Sequence, residues 1–201
     1  MVQTIFGSPV IILKIDNVKE LFPACTHDEI IDHLTELDNT FTNHPYVRGG
    51  KLCTTDLNSN TKINNINGLP LLWEFLKNTA LTYAHLYSDT SVKDLTMRYS
   101  WINLTFQGCE IKNHNDKDLG IDRSIVVTFY PKVPKGGSNL VFIHNSKYGE
   151  WASDRLEQDL VQIEIQEGNI VIFDNLTLHA VGVHKAKDPR MCIATEFTIE
   201  T

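Results

Sequence analysis

The stretch Ser124-Ile125-Val126-Val127-Thr128-Phe129-Tyr130 is a run of β-branched and aromatic residues that stops at Pro131. Such a run, bounded by a turn residue, predicts a β-strand. Further short apolar runs follow it, interrupted by turn residues such as Gly168 and the pair Asp188-Pro189. From Leu95 onward the sequence therefore predicts strands over 95–107, 124–130, 139–143, 160–165, 169–174, 179–183 and 190–199.

The first part of the chain predicts mainly helices and loop. Residues 8–15 predict one early strand, and the capping-box pattern Thr26-His27-Asp28-Glu29 predicts the start of a helix. Residues 39–68 are polar and aperiodic, and we expect mostly loop there. A second helix is predicted from about Pro70 to Tyr87, where apolar residues recur at helical spacing. Helices followed by about seven strands indicate an α+β fold built on a β-barrel or sandwich, with residues 1–201 as a single domain.

The composition narrows the function classes. The chain has 201 residues and a formal net charge of -7, which argues against a protein that coats nucleic-acid phosphates. No apolar run is long enough for a transmembrane helix, and the N-terminus does not resemble a signal peptide. We therefore expect a cytoplasmic protein that is neither secreted nor membrane-bound. The four cysteines show no metal-binding or CxxC spacing, which is typical of reduced thiols: Cys25, Cys53, Cys109 and Cys192.

Three residues have the pattern of a metal site. His114 and Asp116 are two positions apart, so on an extended strand both side chains would project to the same side. His179 follows at the head of a later predicted strand. Two imidazoles and one carboxylate form the facial triad that holds non-haem Fe(II) and leaves positions open for other ligands. A His-x-Asp pair is common by chance, and the hypothesis depends on this ordered β context.

An arginine and two further residues are candidates for binding an organic anion beside that metal. Arg190 lies on the strand after His179, and a guanidinium can pair bidentately with the far carboxylate of 2-oxoglutarate. A buried carboxylate needs such a partner, because its desolvation would otherwise cancel the binding. Tyr130 ends a strand and can donate its hydroxyl to the same carboxylate, and Asn103 is a further candidate polar contact.

One alternative for the third metal ligand stays open. His184 is five residues past His179 on a predicted turn, and it competes with His179 for that role. The remaining histidines are predicted to be surface, packing or otherwise unpaired residues: His27, His33, His44, His85 and His144.

At these residues the sequence resembles the Fe(II)/2-oxoglutarate oxygenase superfamily, on its prolyl-hydroxylase-like side. In that family, as in the stretch from His114 to Gly136-Gly137, the His-x-Asp motif precedes a strand with a tyrosine and then a Gly-Gly turn. The order of motifs is similar to that of small 2-oxoglutarate oxygenases of phages and of marine or cyanobacterial genomes. The further matching segments are Phe6 to Val10, Trp101 to Asn103, Gly108 and Gly168 to Phe173.

The resemblance implies a double-stranded β-helix, or jelly-roll, core over about 95–201, supported by flanking helices and a strand over about 1–94. It also implies Fe(II) held by His114, Asp116 and His179, with 2-oxoglutarate as cosubstrate and O₂ as oxidant. The activity implied is a dioxygenase that hydroxylates its substrate and releases succinate and CO₂. The expected substrate is a peptide side chain or a small molecule, with a nucleobase ranked third.

Two features depart from the family pattern. Many members have a hydroxyl residue two positions after the arginine, where this chain has Cys192. The polar insertion from Asn145 to Gln158 is interpreted as a lid specific to this protein. The alternative from another functional class is a non-catalytic β-barrel module or a cupin-like metal protein. The absence of a His-x-His motif from the β-rich part counts against a cupin.

Overall fold

A computed structural model describes residues 2–23, 47–56, 69–87, 91–116, 124–144 and 160–201. Within these ranges the chain forms two antiparallel sheets and the helices α1 (Val18–Leu21) and α2 (Leu69–Tyr87). The seven-stranded sheet has the order β1 (Val2–Ile5), β2 (Ser8–Lys14), β10 (Asn169–Asp174), β7 (Ser124–Lys132), β12 (Arg190–Glu200), β5 (Asp94–Thr105) and β4 (Leu52–Asp56). The five-stranded sheet has the order β3 (Val47–Arg48), β6 (Glu110–His114), β11 (His179–Val181), β8 (Leu140–Ile143) and β9 (Leu160–Ile163).

Strand β7 is buried on both faces, which explains its unbroken apolar sequence. Val127 and Phe129 belong to the apolar cluster that includes the buried face of α2. Val126 and Tyr130 belong to a second cluster, together with Phe142 of the five-stranded sheet. The alternation along one strand therefore builds one core layer under the helix and another between the two sheets.

Helix α2 covers the outer face of the seven-stranded sheet, as its apolar periodicity predicts. Leu72, Leu76 and Ala80 are fully buried in the cluster under the helix. The hydroxyl of Tyr83 donates to the backbone carbonyl of Pro9 at 2.9 Å, which connects the helix to the start of β2. The helix thereby covers much of this face of the sheet.

Gly168 joins three strands immediately before β10. Its φ is +84°, and a Cβ at this position would lie 2.1 Å from the backbone oxygen of Ile15. Its N–H donates to the carbonyl of Tyr130, and its own carbonyl accepts from the N–H of Ile15. Only glycine combines this φ with such close backbone approach, so the turn predicted at Gly168 has a steric cause.

The sequence predictions and the structure differ at several strands. Strands β3 and β4 lie within residues 39–68, where we expected loop, and β6 was not predicted. Strand β7 also continues past Pro131, which we expected to end it. Its register with β12 shifts between Met191 and Ile193, so the missing N–H of this proline falls at an irregularity of the ladder.

The mostly β architecture agrees with the predicted barrel or sandwich core, whereas the pair of N-terminal helices is not confirmed. The helix predicted from residue 26 and the insertion over 145–158 lie outside the described residues. In the part of the chain that the structure describes, no helix has the length and apolarity needed to cross a bilayer.

Replacing Leu72 with alanine tests the contact between α2 and the sheet. Leu72 is fully buried, so Leu72→Ala should lower the free energy of unfolding by about 2–5 kcal/mol. The neighbouring Leu71 is 64% exposed, and Leu71→Ala should change it by less than about 0.5 kcal/mol. Urea denaturation measures both, and equal losses in the two variants would contradict the described packing.

Candidate metal centre and adjoining pocket

Two histidines face each other across neighbouring strands. His114 is the last residue of β6, His179 is the first residue of β11, and the two are paired in the register of the five-stranded sheet. Their ring centroids are 4.4 Å apart. Cross-strand partners present their side chains on the same face of a sheet, so the pairing itself brings the two imidazoles together.

Asp116 lies just beyond the end of β6 and completes the group. One carboxylate oxygen is 3.9 Å from Nε2 of His114, and the other is 3.7 Å from Nε2 of His179. The backbone N–H of Asp116 donates to the carbonyl of Asn175 at 3.1 Å. Strand β6 stops at His114, so Asp116 lies outside the strand, and the backbone hydrogen bond to Asn175 holds it in place.

Asn175 connects this corner to the seven-stranded sheet. Its backbone N–H donates to the carbonyl of Ser124, and its side-chain oxygen accepts from the N–H of Ser124, both at 3.1 Å. The residue is fully buried, and its carbonyl accepts from Asp116. No simple sequence pattern marks Asn175, since it precedes the predicted strand at 179–183 as one polar turn residue among several.

Backbone hydrogen bonds orient both imidazoles towards the same point. Nδ1 of His114 lies 2.9 Å from the carbonyl of Lys112, and Nδ1 of His179 lies 3.0 Å from the carbonyl of Thr177. A carbonyl only accepts, so each Nδ1 donates its proton, and Nε2 is the nitrogen turned towards Asp116. Burial lowers the pKa of His179 below its usual value, which favours its neutral form. The hydrogen bonds at Nδ1 therefore leave Nε2 of each ring as the atom directed at a metal ion.

The three side chains fit one divalent ion. Their ligand atoms all lie within 4.8 Å of one another. Two ligands that each lie about 2.1 Å from an ion can be at most about 4.2 Å apart; both Asp116–histidine separations satisfy this limit, and the 4.8 Å span of the whole group exceeds it, so a bound ion would draw the ligands closer together. Two imidazoles and one carboxylate suit a first-row ion such as Fe(II), and three ligands on one side leave coordination positions open.

A pocket extends from this group into the space between the sheets. It encloses about 420 Å³ including its mouth. The side chains that line it come from both sheets: Trp101, Asn103, Ile111, His114, Asp116, Val126, Thr128, Tyr130, Leu140, His179, Val181, Arg190, Cys192 and Ala194. The candidate metal ligands and the candidate anion-binding residues named from the sequence thus line a single pocket.

Arg190 gives the pocket a positive charge. The residue is 1% exposed, and its guanidinium lies 5.1 Å from the centre of the Tyr130 ring. One guanidinium nitrogen donates to the carbonyl of Ser138 at 2.8 Å, and Nε has no partner. Among the described residues no carboxylate forms an ion pair with it. A buried guanidinium is costly without an opposite charge beside it, so this end of the pocket favours an anionic ligand.

Tyr130 of β7 and Cys192 of β12 lie close to each other and to Arg190. Burial raises the pKa of the Tyr130 hydroxyl well above its usual value, and it raises that of the Cys192 thiol to about 11. Both groups remain protonated at neutral pH and are available as donors. Asn103 faces the same pocket from β5, where its cross-strand partner on β12 is Cys192.

His184 lies outside the pocket and does not belong to the metal-binding group. It is fully buried, Nδ1 accepts from the backbone N–H of Ser138, and Nε2 donates to the carbonyl of Asp188. With both ring nitrogens occupied by the backbone, it has no electron pair for an ion. His144 is exposed, and its ring packs against Phe6 at 4.9 Å.

Strand alternation places the aromatic residues of the sheets in different environments. Trp101 lines the pocket, whereas Phe129 belongs to the cluster under the helix and Phe106 packs against it. Phe142 lies between the sheets, beside Phe173. Sequence reasoning did not single out Thr128 and Ser138, although Thr128 shares the face of Tyr130 at strand spacing.

Comparison with solved structures finds the same fold among 2-oxoglutarate-dependent oxygenases. A 2OG-Fe(II) oxygenase family oxidoreductase from Burkholderia pseudomallei matches with a TM-score of 0.57 and 14% identity, over 94% of this chain and 84% of that one. The viral collagen prolyl hydroxylase of Paramecium bursaria Chlorella virus 1, in its 2-oxoglutarate complex, also has a TM-score of 0.57 and 14% identity, covering 92% and 94%.

A prolyl hydroxylase from Trichoplax adhaerens, in complex with a peptide fragment of the hypoxia-inducible-factor oxygen degradation domain, has a TM-score of 0.61. Its identity is 12%, over 94% of this chain and 82% of that one. No family model matches the sequence, and the search of curated proteins finds no similar sequence. The fold similarity agrees with the jelly-roll core that the sequence resemblance implies.

Removing one candidate ligand should abolish tight metal binding. Loss of a hydrogen-bond partner of a metal ligand already lowers metal affinity about 10–100-fold. Loss of the ligand itself in His179→Ala should therefore weaken Co(II) binding by more than about 100-fold. The exposed His85 on α2 supplies the control, and His85→Ala should bind Co(II) like the unmodified protein. Calorimetric titration measures both affinities. Unchanged binding in His179→Ala would exclude this group as the metal site.

Proposed function

We propose that the protein is an Fe(II)- and 2-oxoglutarate-dependent dioxygenase that hydroxylates a peptide side chain or a small metabolite and releases succinate and CO₂. The observation that carries the proposal is the combination, in one pocket, of a group able to hold a metal and a buried arginine without a carboxylate partner in the described part of the chain. The fold shared with 2-oxoglutarate oxygenases supports it.

His114, Asp116 and His179 would hold the iron. Two imidazoles and one carboxylate suit Fe(II). Three ligands would fill only part of its coordination sphere, so 2-oxoglutarate could bind through two atoms and O₂ could bind as well. Bound there, Fe(II) supplies the activation of O₂ that couples decarboxylation of 2-oxoglutarate to oxidation of a substrate C–H bond. The protein contributes the fixed orientation of the two imidazoles and the pocket between the sheets.

The position of Arg190 in the pocket supports a dicarboxylate as cosubstrate. Phe142 of β8 pairs with His179, and Ser138, two residues before β8, supplies the carbonyl that holds Arg190. The metal ligands and the guanidinium thus line the same pocket at different places, and a diacid that chelates the ion could place its far carboxylate at Arg190.

Tyr130, Asn103 and Cys192 would complete the binding of the cosubstrate. The hydroxyl of Tyr130 is protonated and adjoins Arg190, so it can donate a second hydrogen bond to the far carboxylate. The amide of Asn103 faces the pocket from β5 and can contact the cosubstrate from the other side. The thiol of Cys192 is a weaker donor than a hydroxyl at the same position would be.

The proposed substrate class is inferred from the net charge of the chain and from its structural neighbours. A net charge of -7 disfavours extended nucleic acid, and a peptide or a small molecule fits better. One structural neighbour is a prolyl hydroxylase with a bound peptide fragment, and this favours a peptide side chain. A non-catalytic barrel or a cupin-like protein would have no need for an unpaired buried arginine beside the metal ligands.

Turnover of 2-oxoglutarate tests the proposal directly. With Fe(II) and O₂, the protein should convert 2-oxoglutarate to succinate even without its substrate, at a slow uncoupled rate. Arg190→Lys keeps the charge and loses the two-pronged geometry, so the apparent KM for 2-oxoglutarate should rise at least about tenfold. The control is Arg48→Lys, since the side chain of Arg48 is 67% exposed. Absence of succinate, or an unchanged KM in Arg190→Lys, would contradict the proposal.

Replacing Cys192 should tighten the binding of the cosubstrate. Cys192→Ser puts a stronger donor beside Arg190. The dissociation constant for 2-oxoglutarate should therefore fall about threefold, which corresponds to about 0.7 kcal/mol of binding free energy. Cys192→Ala removes the donor and should not show this gain. Calorimetry on the Mn(II)-loaded protein measures both values. A gain of equal size in the alanine variant would show that the thiol acts through its size and not through hydrogen bonding.

A further inference from the structure

His184 is a buried histidine with a defined hydrogen-bonding state that the proposed chemistry does not use. Nδ1 accepts from the backbone N–H of Ser138 at 3.3 Å, and Nε2 lies 2.8 Å from the carbonyl of Asp188. The carbonyl can only accept, so the proton is on Nε2 and the electron pair on Nδ1 faces Ser138. This tautomer is the opposite of that of His114 and His179, which carry the proton on Nδ1.

Both partners of the His184 ring adjoin Arg190. Ser138 supplies the carbonyl that accepts from the guanidinium at 2.8 Å, and Asp188 precedes Arg190 by two residues. Among the described residues, the Ser138 carbonyl is the acceptor that binds the guanidinium, and Nε of Arg190 has no hydrogen-bond partner. The ring of His184 therefore fixes the acceptor of the guanidinium on one side and the start of its strand on the other.

The position of His184 is itself fixed independently of Arg190. Its carbonyl accepts from the N–H of Gly108 at 2.8 Å, and its N–H donates to the carbonyl of Cys109 at 2.9 Å. A Cβ added at Gly137 would be in ordinary contact with the ring, 3.8 Å from Cε1. The imidazole is thus held by a separate turn and can serve as a reference point for the Arg190 side chain.

We propose that His184 is a positioning residue that sets the direction of the Arg190 guanidinium through Ser138, and thereby the affinity for the far carboxylate of the cosubstrate. The inference rests on the proposed function and deepens it. Without an acceptor at Nδ1, the N–H of Ser138 is buried and unpaired, and this segment has to rotate to satisfy it. Rotation carries the Ser138 carbonyl away from Arg190, and bidentate pairing depends on the direction of the guanidinium plane.

Two amide substitutions separate the two bonds of the ring. In His184→Asn the side-chain oxygen can stand where Nδ1 stands, and the acceptor for Ser138 is kept. In His184→Gln the side-chain N–H can stand where that of Nε2 stands, and only the bond to Asp188 is kept. Both variants lose the ring and part of its packing, so a purely structural role predicts similar effects for the two.

The test compares binding of two ligands by calorimetry: Mn(II), and 2-oxoglutarate on the Mn(II)-loaded protein. For His184→Gln we expect at least about tenfold weaker 2-oxoglutarate binding, and for His184→Asn a value within about threefold of the unmodified protein. Mn(II) affinity should stay unchanged in both. Leu72→Ala, in the core under α2, is the control for general loss of stability and should bind both ligands normally.

The outcomes distinguish this inference from the function on which it rests. If the unmodified protein does not bind 2-oxoglutarate, both proposals fail. If it binds and the two amide variants lose affinity equally, or neither does, the positioning role is overturned while the proposed function stands. Amide hydrogen exchange of the metal-free protein provides a further readout, in which the Ser138 amide should exchange faster in His184→Gln and stay protected in His184→Asn.

Discussion

A permanently charged guanidinium buried between two sheets is the constraint on which the site depends. Arg190 is 1% exposed, and no carboxylate in the described part of the chain neutralises it. An isolated buried charge of this kind is costly, so this position favours a ligand that supplies the opposite charge. The surrounding groups agree with that preference, since Tyr130 and Cys192 are both protonated donors at neutral pH.

The metal group and the arginine are brought together by sheet geometry. His114 and His179 meet because β6 and β11 are neighbours in the five-stranded sheet, whereas Arg190 begins a central strand of the seven-stranded sheet. The pocket lies where the two sheets face each other, and helix α2 covers much of the opposite face. The candidate metal ligands and the arginine therefore line one pocket, although His114 and Arg190 are more than seventy positions apart in the sequence.

Local patterns in the sequence predicted much of this arrangement, because they are properties of single elements. The buried stripe of α2 and the apolar run of β7 follow directly from side-chain periodicity. Strand β6 was missed because Glu110 to His114 is a short, polar segment whose formation depends on its neighbours β3 and β11. Asn175 and Ser138 were missed because they contribute to the site mainly through hydrogen bonds of their backbone N–H and carbonyl groups. Side-chain identity does not reveal such bonds.

The most direct test of the account is an anaerobic titration of the unmodified protein with Fe(II) and then 2-oxoglutarate, followed by visible absorption. Chelation of the iron by the 2-oxo and carboxylate oxygens produces a charge-transfer band that neither component gives alone. The account predicts a band that requires protein, Fe(II) and 2-oxoglutarate together, and that saturates at one equivalent of each. Saturated Fe(II) binding without any band on addition of 2-oxoglutarate would contradict it.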